Sequence, residues 1–185
     1  MRAAITGTIG SGKSEAVAYL RNKGYDVFDC DEENRKLLLK EGKAYSLIQA
    51  AFPECFIDDE LDKQKLSAIV FSDEEKRKQL EGICHPLLLQ ELNRRDDDPL
   101  FAEVPLLFEV GWDLYFDHNL LIAADEETIR ERLRLRGYDE NEINRRLNAQ
   151  MPLSEKLRRA DKIIYNNGSL QHLYTAIDNW LKDLE

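Results

Sequence analysis

The stretch Gly7-Thr8-Ile9-Gly10-Ser11-Gly12-Lys13-Ser14 sets a lysine and a hydroxyl directly behind a glycine-rich loop, in the spacing G-x-x-x-x-G-K-[ST]. The chemistry open to such a stretch is the holding of a polyphosphate. Gly7, Gly10 and Gly12 let the backbone turn and approach an anion with no Cβ in the way. Lys13 is then placed to bridge β- and γ-phosphates, and Ser14 to offer its hydroxyl to Mg²⁺. A second group of candidates is acidic. Asp29 and Asp31 stand two apart and share a face in an extended chain. A carboxylate there either takes the proton of an attacking hydroxyl, holds Mg²⁺ through water, or simply N-caps the next helix. The third group is basic. Arg132 and Arg136 lie at i, i+4, with Arg145 and Arg146 across the break at Gly137. They form either a solvated face neutralised by Glu126, Glu127 and Glu131, or a set of guanidiniums that closes over a transferring phosphoryl group.

The elements needed to position these groups are legible around them. Arg2 to Thr6 reads as a short, mostly apolar strand, and Glu15 to Leu20 carries apolar residues at helical spacing, with Gly24 as a stop. Strand, loop and helix together bring backbone N–H groups and a helix N-terminus to one point. Tyr25 to Asp29 is the second strand, Leu100 to Val104 the third, Asn119 to Ala124 the fourth and Asp161 to Tyr165 the fifth. Helices are expected over Glu32–Lys40, 43–52, from Asp62 or Lys63 to Phe71, over Glu126–Arg136 and Glu140–Gln150, and from Ser169 to Leu184. A capping box Ser72-x-x-Glu75 opens a further helix toward Gln90, with a kink or break near His85 because Pro86 follows it. No strand is expected between the second and the third. Strands alternating with helices predict an α/β fold with a parallel sheet covered on both faces, whose ligand edge lies at the carboxyl ends of the strands.

The chain's 185 residues suit one domain, with 43% hydrophobic and 34% charged residues and a net charge of −10. We expect a core formed by 1–42, 99–131 and 151–185, a helical insertion over 43–98 that holds the second substrate, and a mobile lid over about 132–150. The net negative charge argues against a broad nucleic-acid footprint. No apolar run reaches the roughly 18 residues of a membrane span, and the immediate entry into the first strand leaves no room for a signal peptide. Cys30, Cys55 and Cys84 form no C-x-x-C pair and read as reduced thiols of a cytoplasmic protein. His85 is a lone histidine with no Ser or Cys partner evident nearby. Glu109, after Val104-Pro105-Leu106-Leu107-Phe108, sits where a strand-end carboxylate reaches metal or substrate; Leu106 to Phe108 is core or pocket wall.

Taken in order, these segments resemble the dephospho-coenzyme A kinase family over nearly the whole chain. The resemblance is carried by Ile5-Thr6-Gly7 with Gly10-Ser11-Gly12-Lys13-Ser14, Val27 to Asp31 with Arg35, His85-Pro86, Val104 to Glu109, Asp117, Arg132, Arg136, Arg145, Gln150, Lys156, Ala160-Asp161 and Asn166 before Gly168. It implies a P-loop three-layer sandwich of the nucleoside-monophosphate-kinase type, with five parallel strands in the order 2-3-1-4-5. It implies transfer of the γ-phosphoryl group of ATP, with Mg²⁺, to the ribose 3′-hydroxyl of dephospho-CoA. In that reading Asp31 is the general base, and Lys13, Arg136 and Arg145 serve the transferring phosphoryl group. Gly7 to Glu15, Arg132, Arg136 and Asn166 hold ATP, with Ser14 on the metal. Asp31, Arg35, His85, Leu106, Leu107 and Glu109 receive the acceptor, and the expected partners are these small molecules, the chain being a monomer or weak homo-oligomer with no membrane or nucleic-acid partner. Three positions depart from the family. Thr8 replaces a frequent glycine and requires negative φ, Glu15 stands where a small hydroxyl residue is usual, and Ile129 where Gln is frequent; the first two are expected to weaken ATP affinity.

The nearest alternative is another small-molecule kinase of the same fold, acting on a nucleotide, nucleoside or shikimate-like hydroxyl. A GTP-dependent switch needs D-x-x-G and N-K-x-D, and Asn22-Lys23-Gly24-Tyr25 fails at its last position. A dinucleotide-binding domain needs G-x-G-x-x-G, whereas the glycines here run G-x-x-G-x-G.

Overall fold

The computed structural model describes residues 1–184; Glu185, the end of the expected 1–185 domain, lies outside the described residues. In chain order the elements are β1 (Arg2–Gly7), α1 (Lys13–Asn22), β2 (Val27–Asp29), α2 (Cys30–Leu37), α3 (Tyr45–Ala51), β3 (Phe56–Ile57), β4 (Glu60–Leu61), α4 (Lys63–Ser72), α5 (Glu74–Asn93), β5 (Leu100–Glu103), β6 (His118–Ala123), α6 (Glu126–Leu135), α7 (Glu140–Asn148), α8 (Leu153–Arg159), β7 (Lys162–Tyr165) and α9 (Leu170–Asp183). Among the described residues no helix is long and apolar enough to cross a membrane. The chain divides into two compact units, one made of Met1–Asp29 with the segment from Asp97 onward, the other of Cys30–Asp96.

The first unit is built on a five-stranded sheet in the order β2-β5-β1-β6-β7, all pairs parallel. Counted along the chain, that is the expected 2-3-1-4-5. The central strand β1 is buried from Ala3 onward, which is why its sequence is a nearly unbroken apolar run. On one face Ala3, Ile5, Phe101, Leu120, Ile122 and Ile164 meet Ala16, Val17 and Leu20 of α1 and Leu173, Ile177, Trp180 and Leu181 of α9. Burying a side chain such as Leu20 is worth about 1.5–3 kcal/mol, so this face clamps α1, and with it the loop before α1, onto the sheet. The Tyr19 and Tyr174 rings stack at 4.1 Å across the two helices.

In the second unit α5 runs unbroken through Pro86, where the sequence predicted a kink or break. Cys84, Leu88 and Leu92 form a buried stripe at four-residue spacing, and packing along that stripe outweighs the roughly 3 kcal/mol that an interior proline costs. The cap of α5 is Asp73, whose carboxylate accepts from the N–H groups of Glu75 (2.9 Å) and Lys76 (3.1 Å). Ser72 is instead the last residue of α4 and donates back to the carbonyls of Ala68 and Ile69. The expected absence of strands also fails here. β3 and β4 form an antiparallel hairpin around Asp58 and Asp59, whose φ angles of 48° and 64° make the tight turn. The unit begins at Cys30, so it takes in α2, ahead of the expected insertion boundary at residue 43.

Candidate active site

The loop between β1 and α1 is shaped by its glycines and left open to an anion. Gly12 has φ 98°, and a Cβ there would strike Asn166 Nδ2; Gly10 has φ 80°, with Ile129 Cγ2 3.1 Å from where its Cβ would be. Thr8 is buried and is not among the residues of positive φ, so the β-branched substitution is accommodated without backbone strain. Within the loop, Ser11 N–H donates to the Thr8 carbonyl at 3.0 Å, and the Gly12 carbonyl accepts from Glu15 and Ala16 to start α1. The N–H groups of Gly10, Gly12, Lys13 and Ser14 have no acceptor among the described residues, and no side chain caps α1. Four donors at a helix N-terminus with nothing to bond are an anion site. Ser14 is exposed on the first turn.

Lys13 Nζ donates to Glu103 Oε1. Glu103 ends β5, opposite Ile5 of β1, and is buried. The strand-end carboxylate is therefore Glu103, where the sequence points to Glu109. The available signal was an acid inside the apolar run Leu100 to Val104, a position that buries a charge only when a cation faces it. Glu109 itself lies in the turn beyond the strand. Its Oε1 accepts from Met151 N–H at 3.0 Å and lies 2.7 Å from Lys156 Nζ. Leu107 is fully buried core, whereas Leu106 is 44% exposed.

Among the expected lid arginines, Arg132 reaches the phosphate loop. Its guanidinium donates to the carbonyls of Gly10 (3.3 Å), Ser11 (3.2 Å) and Asn166 (2.7 Å). Asn166, buried after β7, donates from Nδ2 to the Ser11 carbonyl at 2.8 Å. The two residues thus brace the loop through its carbonyls, and the N–H groups of Gly10, Gly12, Lys13 and Ser14 stay without an acceptor among the described residues. Arg136 caps the C-terminus of α6 and is exposed; Arg145 on α7 is exposed, 3.6 Å from Glu142. Arg130 and Arg134 tie α6 to α7 through Glu140, at 3.1 and 2.5 Å. Glu15 accepts from Tyr174 Oη, so its carboxylate is turned to α9.

The remaining candidates lie in the second unit. Asp31 does not share an extended face with Asp29, because β2 ends at Asp29 and the helix starts at Cys30. Asp31 occupies the first turn of α2, where a carboxylate is favoured by the helix N-terminus. Arg35 follows one turn later, and both are exposed. Asp29 pairs instead with Arg21 at 3.7 Å. His85 is half-buried on α5; burial pushes its pKa down, with Glu81 opposing.

Similarity to known proteins bears on what such a site is for. The dephospho-CoA kinase family matches residues 1–172. The dephospho-CoA kinase of Thermus thermophilus is 41% identical over 185 residues, covering 97% of this chain and 90% of that protein. That of Geobacillus kaustophilus is 39% identical over 175 residues, covering 89% of this chain and 87% of its own. A crystal structure from Thermus thermophilus superposes with a TM-score of 0.86 at 40% identity, over 100% of this chain and 98% of the other. Dephospho-CoA kinase from Campylobacter jejuni, at 23% identity, shares the fold with a TM-score of 0.67 over 99% of this chain and 96% of its own.

Proposed function

The chain belongs to the dephospho-CoA kinase family, and on that premise we propose how its residues divide the work of transferring a phosphoryl group. The activity is the ATP-dependent phosphorylation of dephospho-CoA, a step of coenzyme A biosynthesis. The observation that carries the division of labour is the set of N–H groups at Gly10, Gly12, Lys13 and Ser14 without an acceptor among the described residues, on the loop that leads into Lys13.

In this reading the loop amides and Lys13 take the β- and γ-phosphates of ATP, the ammonium exchanging Glu103 for phosphate oxygens. Phosphoryl transfer runs through a loose transition state, so positioning and charge neutralisation supply most of the catalysis. Arg132 and Asn166 keep the loop in shape from behind, while Arg136 and Arg145 close over the transferring group and exclude water. Asp31 orients the acceptor, the ribose 3′-hydroxyl, and takes its proton. Arg35, His85, Leu106, Leu107 and Glu109 receive the rest of dephospho-CoA. The Ser14 hydroxyl and the Glu103 carboxylate suit Mg²⁺, a hard cation that takes oxygen donors and is typically held by one or two protein groups plus phosphates. Bound there, it would supply neutralisation of the phosphate charge. The acidic chain acts on small molecules in the cytoplasm, without nucleic acid, as a monomer or weak homo-oligomer.

The experiment is ADP release from ATP and Mg²⁺, with and without dephospho-CoA, on the wild type and Asp31→Asn. Stimulation by dephospho-CoA, lost in Asp31→Asn on the order of 10²–10⁴-fold with ATP affinity unchanged, is the expected result. Stimulation by another hydroxyl acceptor alone would overturn the acceptor, and an active Asp31→Asn the base.

A further inference from the structure

Besides the N–H of Ser11, which bonds within the loop, that of Ile9 is also taken by a protein acceptor. Ile9 N–H donates to Gln150 Oε1 at 2.9 Å, across 141 positions of sequence. We propose that Gln150 is a positioning residue for the phosphate loop, and that the buried Glu109–Lys156 pair holds Gln150 in place; the proposal rests on the kinase reading above.

Ile9 has two anchors. Its side chain packs against Ala124, Ile129, Leu133 and Ile143, the small core shared by α6 and α7. Its N–H is held by Gln150 Oε1. A loop so rich in glycine has many backbone conformations to lose, and ahead of Gly10 its internal restraint among the described residues is the Ser11-to-Thr8 bond. Fixing Ile9 at both side chain and backbone sets the direction from which Gly10 and Gly12 turn. The N–H groups that follow then converge on one point before any anion arrives, and the ordering cost of binding falls.

Gln150 needs support of its own, because it lies on the linker between α7 and α8. The next residue supplies it, since Met151 N–H donates to Glu109 Oε1 at 3.0 Å. Glu109 is fixed in turn by Lys156, whose Nζ lies 2.7 Å away and is fully buried. That contact lies outside hydrogen-bond geometry, and Lys156 Nζ and Glu109 Oε2 have no hydrogen-bond partner. A fully buried ammonium is tolerated only beside a carboxylate, so Lys156 dictates where Glu109 sits. Lys156 rides on α8, which packs on β6. Support therefore runs from the sheet through α8, Lys156, Glu109 and Met151 to Gln150 and ends on the backbone of the loop. Every residue in it belongs to the first unit.

The test uses the full chain as wild type, Gln150→Met, which keeps length without the acceptor, and Glu109→Gln, which keeps a carbonyl for Met151 but removes the charge facing Lys156. Affinity for a non-hydrolysable ATP analogue with Mg²⁺ is measured calorimetrically, and hydrogen exchange of the Ile9 amide is followed without nucleotide. Expected are a loss of nucleotide affinity of about tenfold in Gln150→Met and a smaller loss in Glu109→Gln. Faster Ile9 exchange is expected in both, with the KM for dephospho-CoA unchanged in Gln150→Met. Wild-type nucleotide affinity in Gln150→Met, or an unchanged Ile9 exchange rate, would overturn the proposal. Because neither nucleotide affinity nor Ile9 exchange involves the acceptor, a wild type that binds the analogue but ignores dephospho-CoA would sink the acceptor assignment while the role of Gln150 stood or fell on those two measurements.

Discussion

Lys13 and Glu103 form an ion pair where β1 and β5 end side by side, so the cation of the phosphate loop is already neutralised before nucleotide arrives. A lysine that waits with a carboxylate avoids the cost of a partly buried, unpaired charge. In the proposed division of labour the same carboxylate is released next to the phosphates when Lys13 turns to them.

Glu103→Gln is therefore expected to lower kcat on the order of 10²-fold and to raise the Mg²⁺ concentration for half-maximal rate. A titration of rate against Mg²⁺ at saturating ATP reads both. An unchanged Mg²⁺ dependence would leave Glu103 as a partner of Lys13 alone.

Gly12→Ala combines two faults. A φ of 98° strains any side chain, and the new Cβ meets Asn166 Nδ2. Nucleotide binding is expected to be lost, and Gly12→Ala with Asn166→Gly to recover only part of it, since removing the amide relieves the collision but not the strain. Calorimetry on the single and double variants separates the two contributions.

Glu109→Ala strands a fully buried ammonium. The expected destabilisation is about 3–5 kcal/mol. Glu109→Ala combined with Lys156→Met should recover much of it, because no uncompensated charge remains inside. Urea unfolding midpoints of the three variants check the ordering.

Two groups on α5 make stability depend on pH from opposite sides. Burial holds the His85 pKa below its ordinary 6.5, with Glu81 opposing. The unfolded chain then takes the proton first, so the contribution of His85 is full above about 6.5 and is lost as pH falls through the lower folded value. Burial pushes the Cys84 thiol up from 9 to about 11. Its contribution is full below 9 and is lost as pH rises through 11. Unfolding midpoints against pH should show an acid limb flattened by His85→Gln and an alkaline limb flattened by Cys84→Ser; limbs unchanged in those variants would assign them to other groups.

The phosphate loop was legible because its chemistry is local. Glycines, lysine and hydroxyl follow one another, and strand and helix flank them within a few residues. The sheet order followed from the recognised family, and its five strands from apolar runs between turn residues. What the sequence did not reveal depends on register and packing. Glu103 becomes a partner of Lys13 only because β5 lies beside β1 with Glu103 opposite Ile5. Asp73 displaced Ser72 as cap because α4 runs on through Ser72, whose hydroxyl returns to its own helix. The β3–β4 hairpin has two residues in each strand, too few for an alternating pattern, and its turn is made by Asp58-Asp59 without a glycine. Arg132 and Arg136 look equivalent on a helical wheel, yet α6 ends at Leu135. One guanidinium braces the loop and the other projects from the helix end.

The burial of Lys156 also makes it a clock. A primary amine with no exposed surface cannot meet an acylating reagent while α8 is seated, whereas a partly exposed lysine such as Lys162 can. Its labelling rate in native solution counts the excursions in which α8 lifts from the sheet, and so measures the opening free energy of the support beneath the phosphate loop. Mass spectrometry of that one peptide, with and without nucleotide, would show how much of the binding energy is felt on the far side of the loop.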